Sequence, residues 1–179
     1  MICSDCDLLR LQHKGCFPMD SYIGPSSVDL TLSNSFCMSS IPDGEGIIDI
    51  KDEPKFISWN SEYLVMSPND FILASTNESI KVPVDHAAFV AGRSSIGRIG
   101  IQVQNAGFVD SGFEGQVTLE LQNQSNSQIR LHRGIRICQI IFMKMTSDCM
   151  NPYKGKYQFQ KGATFSRVHE DSENIKNTM

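Results

Sequence analysis

Short apolar runs separated by turn residues constrain the fold of this chain more than any other feature of its sequence. Beyond the first fifteen residues helical periodicity almost disappears. Apolar residues instead recur at every second position, as at Val28, Leu30 and Leu32. Side chains with that period lie on alternate faces of a strand. We predict strands at residues 28–32, 47–50, 56–59, 63–66, 71–75, 87–91, 101–104, 117–122, 129–131 and 137–145.

The residues between these runs, mainly Pro, Gly, Asn and Asp, are typical of an all-β sandwich or barrel-like fold. One short helix is expected near the N-terminus, because Ser4–Asp7 has the pattern of a helix cap and Gly15 follows the apolar residues. With 179 residues the chain has the length of about one domain. From about Asn151 the sequence is polar. We interpret residues 151–179 as a C-terminal arm of a single domain, 1–179.

Charge and composition narrow the classes of function. Sixteen Lys and Arg against twenty Asp and Glu give a net charge of −4, which disfavours nucleic-acid binding but still allows a local basic pocket for a small anion. No apolar run reaches the roughly 18 residues that span a bilayer, and residues 1–15 lack the apolar core of a signal peptide. The six cysteines are scattered and indicate free thiols. We therefore expect a cytoplasmic protein with no membrane or nucleic-acid partner.

The segment Gly92–Arg98 has the densest set of polar groups, with two arginines five positions apart and two serines and a glycine between them. If Ser94 or Ser95 caps a short helix, backbone N–H groups and both guanidinium groups would point to one place. That arrangement suits phosphate oxygens. The alternative is a solvated loop that merely begins a helix, and short Ser/Arg/Gly runs are common enough to leave both open.

A turn-rich segment, Asn105–Gly115, lies between two predicted strands. Loops on a rigid β-scaffold frequently carry ligand-binding groups. Asp110 in this loop can accept a hydrogen bond from a sugar hydroxyl or orient a water. The alternative, which the local pattern favours, is an aspartate that starts a turn before Ser111 and Gly112.

The period of two in residues 117–122 places Leu119 and Leu121 on one face of a strand and Thr118 and Glu120 on the other. A glutamate in so apolar a strand either faces solvent or lies in a cavity. Periodicity alone favours the solvent-facing position, whereas the cavity would suit a general acid or base.

Metal-binding and hydrolase patterns are weak. Cys3 and Cys6 form one C-x-x-C pair without a second, and His13 is not at zinc-finger spacing, so we expect no structural zinc. The zinc-deaminase signature is absent, because His86 lacks a glutamate two positions later and no proline precedes a cysteine. The P-loop motif is also absent, and nothing marks a Ser-His-Asp or Cys-His hydrolase.

The tail segment Tyr153–Thr164 supplies three ammonium groups, two phenols and two amides. Such a segment can close over an anionic, planar ligand. A disordered basic tail has the same composition, so composition alone does not separate the two interpretations.

Taken together, these segments resemble the dCTP deaminases of the dUTPase-like superfamily. The resemblance is carried by Gly92–Arg98, Val109–Gly115, Thr118–Glu120 and Gly155–Gly162, and the early segment Pro25–Leu30 matches the N-terminal strand of that family. It covers nearly the whole chain, in order and at matching spacing. Within the family, the sequence is most similar to the bifunctional, dUMP-forming branch.

The resemblance implies a dUTPase-like distorted β-barrel, or β-clip, that assembles as a homotrimer with active sites between subunits. It implies dCTP and dUTP as ligands and Mg²⁺ as a cofactor bound through the triphosphate. It implies no zinc and no metal ligand from a protein side chain. Feedback inhibition would make dTTP a further ligand.

The resemblance also assigns roles to individual residues. Glu120 is implied to be the general base that activates water for attack on cytosine C4, with Ser94 and Arg98 assisting. Asp110 is implied to lie beneath the deoxyribose and to orient the water that attacks the α-phosphorus. The implied nucleotide-binding residues are Arg93, Ser94, Ser95, Ile96, Gly97, Arg98, Asp110, Thr118, Leu119, Glu120, Gln139, Tyr153, Lys156 and Gln160.

The implied activity is that of a bifunctional dCTP deaminase and dUTP diphosphatase, which converts dCTP and two waters into dUMP, ammonia and diphosphate and so supplies dUMP for thymidylate synthesis. Bifunctionality is implied by Gly107 and Phe108, since single-function deaminases typically carry a His-Arg pair there. Three alternatives remain: a deaminase that releases dUTP, an enzyme that hydrolyses only dUTP, and a non-catalytic nucleotide-binding regulator. Retention of all four catalytic residues disfavours the regulator.

Overall fold

Strands make up most of the regular structure in the computed structural model, which describes residues 1–40, 47–104 and 107–171. The all-β class with a short N-terminal helix is thereby confirmed. The helices are α1 (Asp5–His13) and α2 (Ser94–Gly97), and one turn of 3-10 helix spans Val168–Glu170. The strands are β1 (Tyr22–Ile23), β2 (Val28–Ser39), β3 (Phe56–Asn60), β4 (Tyr63–Met66), β5 (Phe71–Lys81), β6 (His86–Gly92), β7 (Ile101–Gln104), β8 (Phe108–Val109), β9 (Glu114–Asn123), β10 (Ile129–His132) and β11 (Arg136–Lys144).

One antiparallel sheet contains every described strand except β4 and β10, which pair with each other. Its main path runs β7-β9-β5-β2-β11-β6-β8, and β1 and β3 both pair with β2. Strand β6, near one end of this path, also contacts β7 at the other end. The sheet therefore curls into a half-barrel, and the core fills the inside of the curl.

Strict alternation fixes which face of each central strand enters the core. In β9, Leu119 and Leu121 are buried, whereas Thr118 and Glu120 are half-buried on the opposite face. Burying one leucine stabilises the fold by about 1.5–3 kcal/mol, so a register slip of one residue is strongly disfavoured. The largest fully buried side chains are Phe36, Phe142, Leu8, Leu30, Leu32, Met66, Ile80, Ile101, Leu119, Leu121, Leu131 and Ile137.

The predicted N-terminal helix is confirmed and begins directly after Ser4. The backbone N–H of Ser4 donates to Asp7 Oδ2 at 3.3 Å, and the Ser4 hydroxyl donates to the same oxygen at 3.1 Å, as expected at a helix start. Leu8 and Leu11 of α1 belong to the core. In the described ranges, neither helix has the length and apolar character needed to cross a bilayer.

Residues 47–50 do not form the predicted strand. Their isoleucine side chains are more than half exposed. Asp49 closes a turn instead: its carbonyl oxygen accepts the N–H of Asp52 at 3.0 Å, and its side chain accepts the N–H of Lys51 at 2.9 Å. The prediction was wrong because an apolar run needs a partner strand as well as apolar residues, and an aspartate inside the run favours a turn.

Candidate active site

A cleft of about 690 Å³ opens beside the face of β9 that carries Thr118 and Glu120. Its walls come from Ser39 and residues 48–56, from β5 and β9, from the 108–113 segment, and from residues 153–168. Apolar clefts with a few polar groups are typical of small-molecule sites. Seven aromatic side chains in the described residues line it: Phe56, Phe71, Phe108, Phe113, Tyr153, Tyr157 and Phe165.

Glu120 and Asp110 both line this cleft. Glu120 lies between Leu73 of β5 and Gln104 of β7, its neighbours across the two strand pairs. Neither carboxylate forms a hydrogen bond or an ion pair within the described part of the chain. An unpaired carboxylate in an apolar cleft can accept a proton from water. The structure therefore supports the cavity interpretation of Glu120 over the solvent-facing one.

The loop that carries Asp110 is a tight turn. The carbonyl oxygen of Asp110 accepts the N–H of Phe113 at 3.2 Å. Ser111 is buried and donates its hydroxyl to the carbonyl oxygen of His86, and Gly112 has a φ of 86°. Asp110 therefore starts a turn, as the local pattern predicts, and it also lines the cleft. Its contact with a sugar or a water stays a prediction.

Residues 153–165, part of the predicted C-terminal arm, run along β9. The Gln160 side-chain amide donates to the carbonyl oxygen of Gln116 at 2.8 Å, and the N–H of Gln116 donates to the carbonyl oxygen of Gln160 at 3.0 Å. Further on, the N–H of Thr164 donates to Thr118 Oγ1 at 3.2 Å. The arm is therefore tied to the same strand that presents Glu120.

Aromatic contacts hold both ends of this stretch. At its start, Tyr153 lines the cleft and packs against Phe113, with the ring centroids 6.0 Å apart. At its end, Phe165 stacks on Phe56 of β3 at 4.8 Å. The last residues of the arm, 172–179, lie outside the described residues.

Lys156 is not among the described residues that line the cleft, whereas the implied contacts Tyr153 and Gln160 are. Its ammonium group donates to Asp171 Oδ1 at 2.6 Å and to the carbonyl oxygen of Arg167 at 2.9 Å. The hydrogen bond to Asp171 raises the pKa of Lys156 above its ordinary value. Two of the three N–H donors of the ammonium group are thus already used within the chain.

Two further parts of the predicted site are not among the described residues that line the cleft: segment 93–98 and Gln139. Helix α2 begins at Ser94, after an extended Arg93, so neither serine caps it. Within the segment, Arg98 Nε donates to Ser94 Oγ at 3.2 Å. The structure therefore brings Ser94 and Arg98 together, but neither is among the described residues that line the cleft with Glu120.

Two of the implied nucleotide-binding residues point their side chains elsewhere. Leu119 is buried in the core on the far side of β9, and Ile96 packs against the core from α2. Only their backbone groups are available to a ligand.

Phe108 and Gly107, the residues implied to set bifunctionality, lie at the start of β8. Phe108 is 60% exposed and lines the cleft. The carbonyl oxygen of Gly107 accepts the N–H of Val90 at 2.7 Å, which ties this end of the loop to β6. Residues 105 and 106, which precede them, lie outside the described residues.

Asp29 and Arg136 are polar residues that the sequence analysis did not assign to the site. Asp29 is buried and lies within ion-pair distance of both Arg93 and Arg136. The sequence did contain a signal for Asp29, because it lies within the family-matching segment Pro25–Leu30. That segment was interpreted only as a strand.

A family model described as dCTP deaminase-like matches residues 2–145. The chain belongs to the dCTP deaminase-like family. It is 44% identical over 179 residues to a protein named "dCTP deaminase, dUMP-forming" from Aquifex aeolicus, covering 97% of this chain and 98% of that one. A protein of the same name from Sulfurihydrogenibium is 45% identical, with coverage of 96% and 99%. A "dCTP deaminase" from Natronomonas pharaonis is 37% identical, with 97% of each chain covered.

Two solved structures share their fold with the present chain. A 2′-deoxycytidine 5′-triphosphate deaminase from Agrobacterium tumefaciens superposes with a TM-score of 0.60 at 23% identity; the match covers 79% of this chain and 47% of that one. A native EIAV dUTPase gives a TM-score of 0.51 at 17% identity, with 79% and 97% covered. The dUTPase-like fold predicted from the motifs is confirmed.

Gly112→Ala should release the start of the arm from the 110–115 turn. A Cβ at Gly112 would lie 2.6 Å from the Cβ of Pro152 and 3.1 Å from the backbone nitrogen of Tyr153, so these residues must move. We expect faster amide hydrogen exchange across residues 153–164, measured by mass spectrometry.

Gly134→Ala is the matched control. Gly134 has a similar φ of 80°, but a Cβ there would meet nothing within 4 Å. Both substitutions carry a backbone penalty of about 1 kcal/mol, and only Gly112→Ala should loosen the arm. Equal exchange of the arm in both variants would show that the close approach at Gly112 does not hold it.

Proposed function

We propose that this protein converts dCTP and two waters into dUMP, ammonia and diphosphate. The observation that carries the proposal is the presence of Glu120 and Asp110 in one apolar cleft, each with a carboxylate that has no partner among the described residues. Hydrolysis at the base and hydrolysis at the phosphate each need a group that accepts or orients a proton of water. Relatives named as dUMP-forming, matched over nearly their whole length, support the same assignment.

Glu120 acts as the general base in the deamination. It takes a proton from water while the oxygen forms a bond to C4 of the cytosine, the C4=N3 double bond opens and N3 receives that proton. The proton of the new C4 hydroxyl then passes to the exocyclic nitrogen, which leaves C4 as ammonia, and the C4 oxygen becomes the uracil carbonyl. Thr118, on the same face of β9, faces the base, and Ser94 and Arg98 assist this step as a hydrogen-bonded pair.

Asp110 orients the second water for in-line attack on the α-phosphorus. The new P–O bond forms as the bond to the bridging oxygen breaks, so diphosphate leaves and the proton of the water passes to Asp110. The exposed ring of Phe108 packs beside the uracil intermediate, and the absence of a side chain at Gly107 leaves room for the second water.

Magnesium is proposed to enter with the triphosphate. In the described part of the chain, no group of three or more His, Cys, Asp or Glu side chains is placed to hold a metal ion, which fits a metal bound mainly by phosphate oxygens. When bound, Mg²⁺ neutralises charge on the phosphates. The chain itself supplies Arg93 and Arg98 to bind the phosphates.

We also propose that dTTP binds the same site and inhibits the enzyme as a feedback ligand.

We further propose that a homotrimer completes the site. Within one chain the cleft holds Glu120 and Asp110, whereas segment 93–98 and Gln139 lie outside its described lining. Cyclic assembly repeats the same pair of surfaces at every interface, so the cleft of one subunit would meet the 93–98 segment of the next.

The cysteines support a reducing compartment, and we propose the cytoplasm. All six lie in the described residues and none forms a disulfide. Burial raises the pKa of the Cys37 thiol to about 11 and also raises that of Cys138, so these thiols are unreactive and serve as small apolar side chains.

A time course with dCTP and Mg²⁺, followed by chromatography, tests the overall reaction. We expect dUMP, diphosphate and ammonia to appear together, and purified dUTP to be cleaved as well. Persistent dUTP in amounts equal to ammonia would show a deaminase alone. Cleavage of dUTP without deamination of dCTP would show that the protein is a dUTP diphosphatase alone. Binding of either nucleotide without turnover would indicate a non-catalytic regulator.

Glu120→Gln should lower the rate of ammonia release from dCTP by about 10²- to 10⁴-fold, because it keeps the shape of the side chain and removes the base. The matched control is Glu114→Gln, on the same face of the same strand but paired with Lys81 at 3.3 Å and outside the described lining of the cleft. This control should keep the parent rate. More than a tenth of the parent rate in Glu120→Gln would contradict the assignment.

Mixed trimers test whether the site is shared. Glu120→Gln and Arg98→Ala should each be inactive alone, but equal amounts refolded together should regain about a quarter of the parent activity, because about one interface in four then combines an intact cleft with an intact 93–98 segment. Activity no higher than that of the separate variants would place both groups in one subunit's site.

A further inference from the structure

We propose that Asp29 is a positioning residue that holds Arg93 and Arg136 side by side as a paired guanidinium site for the phosphate chain of the nucleotide. The identity of the anion rests on the proposed function. The pairing itself rests on contacts within the chain. Arg136 thereby becomes a third phosphate-binding arginine beside Arg93 and Arg98. Neither the sequence motifs nor the described residues that line the cleft include it.

One carboxylate contacts both arginines. Arg93 Nε lies 3.4 Å from Asp29 Oδ1, and Arg136 Nη1 donates to Asp29 Oδ2 at 3.0 Å. Arg93 Nη1 also lies 3.5 Å from the backbone carbonyl oxygen of Arg136. Each oxygen of the carboxylate therefore faces a different guanidinium group, which fixes the separation of the two groups.

The sheet brings these residues together from distant parts of the sequence. Asp29 of β2 lies directly opposite Gln139 of β11, and Thr31 lies opposite Arg136. A register shift between Arg136 and Cys138 places Arg136 on the same outward side as Gln139. The side-chain oxygen of Gln139, itself an implied nucleotide contact, accepts the hydroxyl of Ser27 at 3.2 Å.

Charge and exposure make this cluster an anion site. Two guanidinium groups and one carboxylate leave a net charge of +1. The Asp29 side chain is only 9% exposed, while those of Arg93 and Arg136 are 26% and 42% exposed. The positive groups therefore reach solvent and the negative group lies behind them. The ring of Tyr22, 4.7 Å from the Arg136 guanidinium, limits the motion of that side chain.

The carboxylate of Glu78 is a second negative group near the cluster, but its hydrogen bonds go to Thr31 and not to an arginine. Glu78, which lies close enough to influence the same part of the sheet, accepts hydrogen bonds from both the N–H and the hydroxyl of Thr31, at 2.8 and 2.7 Å. An ordinary surface pair elsewhere, Arg133 with Glu62 at 3.1 Å, has a carboxylate that is 74% exposed and contacts one arginine. That pair has the same charged groups, but its carboxylate does not hold two arginines side by side.

The sign of one substitution separates positioning from simple charge. If Asp29 were only a negative charge near the anion, Asp29→Asn would strengthen anion binding by removing repulsion. If Asp29 aligns the arginines, the same change weakens binding although the local charge becomes more positive. The structure predicts the second result.

The experiment measures binding of inorganic tripolyphosphate to the full chain by calorimetry, in buffer that contains magnesium. We expect Asp29→Asn to weaken binding of tripolyphosphate about tenfold and Asp29→Glu to recover part of that loss. Arg136→Lys should also weaken binding, because lysine keeps the positive charge but lacks the planar guanidinium group that donates two hydrogen bonds to phosphate. With dCTP, Asp29→Asn should raise KM by a larger factor than it lowers kcat. Arg133→Ala and Glu62→Gln are the controls and should bind as the parent does.

Thermal unfolding identifies any variant that fails to fold. If Asp29→Asn does not fold, the Arg136 variants decide, since that side chain is partly exposed and its loss leaves Asp29 paired with Arg93. Binding by Asp29→Asn or Arg136→Lys that equals or exceeds the parent's overturns the inference, as does a parent protein that does not bind tripolyphosphate. A parent that binds tripolyphosphate in an Asp29-dependent way but does not turn over dCTP would refute the proposed function and leave this site in place.

Discussion

The period of two in β9 is the constraint on which the rest of the site depends. Leu119 and Leu121 must enter the core, and each contributes about 1.5–3 kcal/mol by doing so. Because the intervening side chains must then face the other way, Glu120 cannot avoid the cleft. The same face supplies Thr118 and Gln116, to which the arm is hydrogen-bonded. Hydrophobic burial on one side of a single strand thus places both the carboxylate and the groups to which the arm is hydrogen-bonded.

Local pattern was enough to predict much of this architecture. The helix after Ser4, most of the strands and the turn at Asp110 follow from capping, alternation and turn chemistry within a few residues of sequence. Local pattern was not enough at residues 47–50, where the apolar residues were right for a strand but Asp49 forms a turn. It also left the position of Glu120 undecided, because alternation says which side chains share a face and not whether that face is covered.

The pairing of Asp29 with Arg136 could not be predicted from local sequence pattern. The two residues are 107 positions apart, and they meet only because β2 pairs with β11 in one particular register that includes a shift. The division of the implied site into a cleft around Glu120 and a separate segment at 93–98 was equally invisible in the sequence, where both match one family motif set. Distances between motifs depend on how the sheet curls, and that is a property of all its strands together.

The cysteines give the chain a pair of natural labelling positions. Cys3, Cys16, Cys37 and Cys138 are buried, whereas Cys6 is exposed and Cys149 is partly so. Cys149 lies just before the arm, and its backbone N–H donates to the carbonyl oxygen of Val84 at 2.8 Å, which fixes its own position. A chain with Cys6 replaced by serine would accept a thiol-reactive spin label or fluorophore mainly at Cys149. Such a probe would stand on a fixed base beside the arm and would report its movement without any introduced cysteine.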